Sequence, residues 1–254
     1  MRTASAPALA ALLSACVSHP HDAAPAGPER PTFSSDTGTA QEGVLELEVG
    51  AVRDDEQALE TSLALVLGAT PRTEVSVAAV PYGRTHAEGG FGEVVLGGKH
   101  RFTDGSDDRP ASAMQLEVKL PTSDVPGESD ELDVFAGWML TGAAQSVSWT
   151  AYYQLGGRGV EDGAGFDVEH GVALACGSEL AGGGFSGFAE LATLVRPERD
   201  ERESFGTLGL ALRPTDAIVL DVFVIVGLSR DVPDFAVGIG VAGELGRLFG
   251  ADTP

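Results

Sequence analysis

Residues 111–120 read ASAMQLEVKL, and from Met114 onward apolar and polar side chains alternate. Leu116 and Val118 fall on one side of an extended chain, whereas Gln115 and Glu117 fall on the other. Successive side chains of a β-strand point to opposite faces of its sheet, so a period of two is typical of a strand with one apolar and one polar face. This stretch therefore predicts a β-strand.

The same alternation recurs along the chain from residue 42 onward. The connections are short and carry turn residues such as Asp54-Asp55 and Pro214-Thr215-Asp216, and the glycine-rich stretches 155–159 and 181–184 are interpreted as hairpin turns. Consecutive strands with short connections pair antiparallel, which predicts a meander of hairpins. About twelve strands are expected, near 43–53, 57–69, 73–84, 91–103, 110–120, 131–142, 145–155, 165–178, 184–195, 203–213, 217–229 and 234–247.

Strand length favours a closed membrane barrel over a soluble sandwich. Soluble strands usually have about five or six residues, whereas a strand that crosses a bilayer at a tilt needs roughly ten. A closed barrel also leaves no unpaired backbone groups in lipid. The sequence thus predicts an all-β fold, an antiparallel up-and-down transmembrane β-barrel of about twelve strands over residues 42–249, followed by a tail at 250–254. A two-sheet β-sandwich shows the same alternation and stays open as an alternative.

Composition excludes two classes of protein. The chain has 254 residues, with 38 Asp and Glu against 16 Lys and Arg, and a formal net charge of −22. Nucleic-acid binding needs clustered basic residues, so it is not expected. No uninterrupted apolar run reaches the roughly 18–20 residues of a membrane-spanning helix, which argues against a helical inner-membrane protein.

The N-terminal region predicts export. Residues 1–15 have one basic residue and then a short Ala/Leu segment that ends in small residues, as in a signal peptide. Leu13-Ser14-Ala15-Cys16 resembles the bacterial lipobox, so Cys16 is the predicted lipidation site, although an ordinary cleaved signal can also contain such a cysteine. Residues 16–41 are rich in Pro, Ala, Ser and Thr without a hydrophobic period, which predicts a flexible linker.

Three stretches resemble one known family. They are GFGEVVLGGKHRF at 90–102, RPA at 109–111 and EVKLPTSD at 117–124. They are similar to the outer-membrane family named for a meta-pathway of phenol degradation, whose members read approximately G-x-G-D-hydrophobic-x-LG-x-KYRF, D-x-RP-A and K-LPTGD. The resemblance covers about residues 43–249 and implies a barrel of about twelve strands that passes small compounds, aromatic ones among them, across the outer membrane.

The sequence departs from this family pattern at three positions. Glu93 stands where the family has aspartate, His100 where it has tyrosine and Ser123 where it has glycine. The KLPTSD element at 119–124 is the most specific part of the resemblance. The resemblance therefore implies the fold, together with contacts to outer-membrane lipid and to the outer-membrane assembly machinery.

Charged residues recur on one face of the predicted strands, and this face is expected to line the barrel lumen. Acidic residues outnumber basic ones, so an open lumen is expected to favour cations. Alternatively, these charges pair with one another and fill the barrel. The residues predicted to face the lumen are Glu93, Lys99, Arg101, Glu117, Lys119, Glu190 and Asp221.

No catalytic signature accompanies these strands. The sequence contains no Gly-x-Ser-x-Gly elbow, His-Glu-x-x-His motif or cysteine pair with metal-ligand spacing, so no catalytic residue, metal or cofactor is predicted. Three alternatives remain for the function. They are a barrel that passes small hydrophobic or aromatic solutes, an occluded structural outer-membrane lipoprotein, and a surface-anchored β-sandwich that binds a ligand. The expected location is the bacterial outer membrane, with a lipid-anchored N-terminus.

Overall fold

The computed structural model describes residues 32–85, 88–106, 108–125, 131–144, 146–159, 165–181, 184–230 and 232–250. The predicted signal peptide, the lipidation site Cys16 and the end of the predicted tail, 251–254, lie outside these residues. The described secondary structure is β-strand, apart from one 3-10 turn at Pro197–Arg199. In this part of the chain, no helix is long and apolar enough to cross a membrane.

The described residues contain fourteen strands, numbered here in chain order. They are β1 (Val44–Asp54), β2 (Leu59–Thr70), β3 (Thr73–Ala79), β4 (Gly83–Thr85), β5 (Glu88–Gly90), β6 (Val94–Thr103), β7 (Ala111–Leu120), β8 (Asp133–Ala144), β9 (Val147–Gly159), β10 (Phe166–Ala181), β11 (Phe185–Arg196), β12 (Glu201–Thr215), β13 (Ile218–Gly227) and β14 (Phe235–Arg247).

One sheet contains all of these strands, and it closes on itself. β1 pairs antiparallel with β2 on one side and with β14 on the other, where Val44 lies opposite Arg247 and Asp54 opposite Ala236. Omitting the short strands β4 and β5, twelve strands form the closed wall, and neighbours in the wall follow one another along the chain. The predicted antiparallel barrel is confirmed. The β-sandwich alternative is wrong, because a sandwich needs two packed sheets with open edges.

The short hairpin of β4 and β5 was not expected from the sequence. The prediction of one strand over 73–84 is wrong, because the β3 ladder ends at Ala79, opposite Val94 of β6. Pro81 follows, and proline has no N–H to donate to a neighbouring strand. The chain therefore leaves the barrel wall and returns as β4, which pairs with the start of β2 at Leu59 and Glu60.

The alternation places apolar residues outside the barrel and polar residues inside. On β13, Val222 and Val224 are 46% and 39% exposed, whereas Asp221 and Phe223 are 7% and 4% exposed. An exposed apolar surface of this kind is stable only against lipid, and the backbone groups of the closed wall are paired as lipid requires. Other apolar side chains on the outer face are Val75, Leu96, Leu116, Leu174, Leu191 and Ile239.

The two ends of the barrel differ in their connections. At one end the turns are short, such as Pro71-Arg72 between β2 and β3, and both the start of β1 and the end of β14 lie there. At the other end residues 80–93 connect β3 to β6, and residues 121–132 connect β7 to β8. Outer-membrane barrels have short periplasmic turns and longer external loops. We therefore call the two ends the periplasmic mouth and the external mouth.

The glycine-rich stretch 155–159 forms the end of β9, so its interpretation as a turn is wrong. Gly156 lies opposite Phe135 of β8, and a Cβ at Gly156 would lie 2.7 Å from the Phe135 ring. The glycine here makes room for an inward-facing aromatic ring within a strand, as close backbone approach often requires.

Candidate functional site in the barrel lumen

The predicted lumen residues lie along the inner face of the wall and at its external end. Four of them are buried, with exposed fractions between 3% and 7%: Lys99, Lys119, Glu190 and Asp221. Arg101 and Glu117 are half-buried on the same faces of β6 and β7, and Glu93 directly precedes β6. Arg101 lies at the end of β6, with its Nε 3.2 Å from Asp104 Oδ1. The structure divides Glu93, Lys99, Lys119, Glu190 and Asp221 among three neighbourhoods.

At the external mouth, charges of alternating sign run from strand to strand. Lys119 Nζ lies 2.9 Å from Asp133 Oδ2 and 3.5 Å from Glu93 Oε2. Arg158 reaches both Asp133, at 3.6 Å, and Glu169, at 2.7 Å. We call this chain of ion pairs, which continues through Arg196, the rim network. Its residues are Glu93, Lys119, Asp133, Arg158, Glu169, Arg196, Glu201 and Glu203.

The rim network satisfies carboxylates that would otherwise be buried without a partner. The side chains of Asp133 and Glu169 are 1% and 0% exposed, and each lies between two basic residues. A buried charge is tolerated only when it is paired and hydrogen-bonded. Farther out in the β11–β12 turn, Arg199 donates to Asp167 at 2.6 Å, and this hydrogen bond raises the pKa of the Arg199 guanidinium. The network braces the external half of the wall from β7 to β12.

Toward the periplasmic mouth the inner face is acidic. Lys99 Nζ lies 3.1 Å from Glu74 Oε1, and Glu46 and Glu48 of β1 are also buried on the inner face. Asp221 projects inward from β13 into the space left by Gly240, where an added Cβ would lie 2.5 Å from Asp221 Oδ2. Carboxylates thus outnumber basic side chains on this half of the inner face.

Residues 32–41 lie inside the barrel. The backbone N–H of Ala40 donates to Glu74 Oε2 of β3 at 2.6 Å, that of Thr37 donates to Thr141 Oγ1 of β8 at 3.2 Å, and Lys99 of β6 donates to Ser35 Oγ at 3.3 Å. A segment that touches the inner faces of strands on different sides of a closed wall must run through its lumen. We call residues 32–41 the lumenal segment; they were predicted as the end of a flexible linker, but Ser34, Ser35, Thr37 and Ala40 are buried.

The lumenal segment places one aromatic ring in an inner cluster of the barrel. The ring of Phe33 packs edge-on against the ring of Tyr152, with the two centroids 5.5 Å apart. It also packs edge-on against the ring of Phe205, with centroids 6.3 Å apart. Small or flexible inward residues surround it, and Gly171 leaves room for the ring, since a Cβ there would lie 2.6 Å from Phe33 Cζ. We call this pocket the Phe33 seat. It comprises Tyr152, Phe205 and Gly171 with the cluster residues Ala113, Met139, Ala173 and Ala192.

Glu190 of β11 holds the segment beside the seat. The backbone N–H groups of Phe33 and Ser34 donate to its two carboxylate oxygens, each at 2.8 Å, and the Ser34 hydroxyl donates to the same carboxylate. No basic side chain pairs with Glu190 among the described residues. This buried carboxylate therefore receives its hydrogen bonds from the lumenal segment.

A cavity at the external mouth adjoins the Phe33 seat. Its volume is about 290 Å³, and its walls come from β1, β2, β12, β13, β14 and the β4–β5 hairpin. Most of the lining is apolar, with Asp54, Glu60 and Arg84 as its charged members. Phe205 lines this cavity and also contacts Phe33, so the external cavity and the seat share this residue.

His170 lies on the outer face, where Tyr153 Oη is 3.0 Å from its Nδ1, and no serine hydroxyl is among its described partners. No group of three or more His, Cys, Asp or Glu side chains in the described ranges could hold a metal ion.

Some residues of the lumen were missed by the sequence analysis. Arg158 of the rim network was assigned to a turn and Arg196 lay just beyond a predicted strand, although both share the parity of inward residues on β9 and β11. Following the alternation of inward and outward residues to the ends of these strands would have predicted that both arginines face the lumen. Phe33 carries no such signal, because its partners Tyr152 and Phe205 are distant in sequence.

No protein-family model and no curated protein sequence matches the chain. Several solved structures are similar to it. An outer membrane channel from Pseudomonas putida F1 has a TM-score of 0.67 and 10% identity over 85% of this chain and 100% of that one. The KdgM porin has a TM-score of 0.60 and 8% identity over 79% and 99% of the two chains. The NanC porin has a TM-score of 0.57 and 12% identity over 79% and 100%. These similarities are similarities of fold: the chain shares the closed antiparallel β-barrel fold of these outer-membrane proteins.

Proposed function

We propose that this protein passes small solutes across the outer membrane and that the lumenal segment controls this passage. The observation that carries the proposal is the position of residues 32–41, which lie in a polar lumen and hydrogen-bond to its inner face. Eight strands give a barrel filled by side chains and sixteen give an aqueous channel, so twelve strands leave room for small solutes once the segment moves.

The segment is held firmly enough to block the lumen and weakly enough to be displaced. A neutral hydrogen bond contributes about 0.5–1.5 kcal/mol net, and one to a charged group about 1.5–3 kcal/mol. Its bonds to Glu190 and Glu74 are of the charged kind. Water and solutes can replace these partners one at a time, so displacement does not require the wall to unfold.

The preferred solutes are proposed to be small and aromatic. The Phe33 seat supports this preference because it already accommodates an aromatic ring between Tyr152 and Phe205. Membership of the phenol meta-pathway family, which residues 90–102 and 117–124 resemble, is part of the same proposal. The KdgM porin was solved with disordered oligogalacturonate, but a polyanion is a poor candidate here because carboxylates dominate the periplasmic half of the lumen.

A second candidate function is a structural outer-membrane lipoprotein with a permanently occluded lumen. The rim network favours it, because ion pairs that fix β7 to β12 also narrow the external mouth. Under either function Cys16 is proposed to carry lipid and the barrel to be inserted by the outer-membrane assembly machinery. Replacing Cys16 with Ala should remove the lipid, as mass spectrometry of the mature N-terminus would show; an unmodified N-terminus at another residue would disprove the anchor.

A reversible lock on the lumenal segment separates the two functions. Thr37 N donates to Thr141 Oγ1 at 3.2 Å, so these two residues are neighbours across the segment and the wall and are the pair chosen for an engineered disulfide. Thr37→Cys and Thr141→Cys would be introduced into the full chain with Cys16 and Cys176 replaced by Ser. We expect the reduced protein to conduct in a planar bilayer and to admit small aromatic solutes into liposomes, and the oxidised protein to lose both. Equal conductance in the two states would refute control by the segment, and no conductance in either would establish the occluded barrel.

A further inference from the structure

The part of Phe33 that meets the wall has the skeleton of a small molecule. Its backbone nitrogen is joined to the phenyl ring through two carbons, Cα and Cβ, which is the connectivity of a 2-arylethylamine. The ring end lies in the Phe33 seat, and the nitrogen end donates to Glu190 Oε1 at 2.8 Å. The inner face of the barrel therefore contacts an arylethylamine-shaped group at both the ring end and the nitrogen end of that group.

We propose that Phe33 occupies a binding site for small 2-arylethylammonium ions, in which Glu190 binds the ammonium and Tyr152 and Phe205 flank the ring. This inference rests on the proposed function, because a solute reaches the seat only when Phe33 has left it. It names the chemical class of solute that the lumen binds best.

The charges favour an ammonium over the group it replaces. The Phe33 N–H is a single neutral donor, and Ser34 supplies the other donors to Glu190. An alkylammonium carries three donors and a full positive charge, so it can satisfy the same carboxylate alone. Hydrogen bonds between charged groups are roughly twice as strong as neutral ones.

The surroundings of the seat select against other small molecules. A carboxylate isostere of the same length, such as phenylacetate, would place a negative charge against Glu190, which is 3% exposed. Butylammonium keeps the charge but leaves the ring pocket empty, and 2-phenylethanol fills the pocket without a charge. The external cavity reaches Phe205, so it gives such a cation a route to the seat from outside.

Binding can be measured without transport. The full chain, refolded in detergent, would be titrated by calorimetry with 2-phenylethylammonium, comparing wild type with Phe33→Ala. The substitution empties the ring pocket, and apolar cavities of this kind bind aromatic rings. We expect Phe33→Ala to bind the cation about tenfold tighter than wild type, and to bind phenylacetate not at all. Phe33→Leu, which keeps an apolar side chain in the pocket, provides a second comparison if the alanine variant does not assemble.

Matched carboxylate variants test the role of Glu190. In the Phe33→Ala background, Glu190→Gln should weaken cation binding by about tenfold or more, whereas Asp221→Asn, on β13, should change it by less than about threefold. Equal losses from both variants, or equal affinity for 2-phenylethanol and the ammonium, would overturn the proposal.

The two proposals fail in different ways. Calorimetric binding to Phe33→Ala without conductance through the reduced Thr37–Thr141 variant would leave the site standing and refute solute passage. Conductance without selective binding of the ammonium would refute the site and leave passage standing.

Discussion

Arg196 of β11 and Glu169 of β10 lie side by side inside the barrel, with Nε of the arginine 2.8 Å from Oε2 of the glutamate. Arg158 approaches the same carboxylate from β9 at 2.7 Å. Glu169 therefore pairs with two guanidinium groups at once, and this one carboxylate links three consecutive strands.

Replacing Glu169 with Gln should destabilise the barrel by roughly 3 kcal/mol, because two partly buried guanidinium groups would lose their shared counter-charge. Glu201→Gln is a suitable control: its side chain is 41% exposed and pairs with Arg196 at the rim, so its loss should cost under about 1 kcal/mol. Urea unfolding in lipid vesicles, followed by tryptophan fluorescence, measures both. Equal costs would show that the rim network is not effectively buried.

Adjacent residues of β7 test the two faces of the wall. Leu116 is 51% exposed on the outer face, whereas Gln115 faces inward opposite Lys99 of β6. Leu116→Glu should cost roughly 1–2 kcal/mol, since acids on the lipid face cost less than the 2–4 kcal/mol of a basic residue. Gln115→Glu, beside a lysine, should be close to neutral. The same unfolding assay would contradict this assignment if the inward substitution were the more damaging one.

The open channel should prefer cations. Glu48 of β1 and Asp221 of β13 are buried on the inner face, and incomplete screening in a narrow lumen lets each carboxylate set a local potential. The double variant Glu48→Gln/Asp221→Asn should reduce the cation preference measured from reversal potentials. The difference should shrink in molar salt, where the screening length falls to about 3 Å. Anion selectivity of the wild type would contradict the assignment of these carboxylates to the conducting path.

Gly171→Ala should loosen the lumenal segment. A Cβ at this position would lie 2.6 Å from Phe33 Cζ, so the ring must shift out of its seat. We expect a higher open probability in single-channel recordings, by several-fold. Gly177→Ala on the same strand is the matched control, because its nearest contact would be an ordinary 3.4 Å. If both variants behave like wild type, the ring does not limit opening.

The sequence predicted the wall of the barrel well and the contents of its lumen poorly, for one physical reason. The alternation in residues 111–120 is a local pattern, and each strand repeats it, so face and approximate bounds can be derived strand by strand. Pro81 shows where this fails, since one missing donor redirects the chain within an alternating stretch.

The lumenal segment shows the larger limit. Phe33 and Ser34 bond to Glu190, 157 and 156 residues away. A stretch rich in Ser, Thr and Pro with no hydrophobic period is typical of a linker, because its partners are set by the closure of the barrel and not by its own sequence. The alternation along a strand predicts that charged residues such as Lys99 face inward. It does not predict which acidic and basic side chains form ion pairs with one another.

The seam between β1 and β14 constrains the order of assembly. Val44 meets Arg247 there, so the wall cannot close until the last strand has been synthesised, and until then both edges remain open to pairing with other chains. β1 is also the strand into which the lumenal segment leads. The barrel must therefore close around the lumenal segment. If the wall closed before this segment was inside, residues 32–41 would have to enter through the periplasmic mouth afterwards.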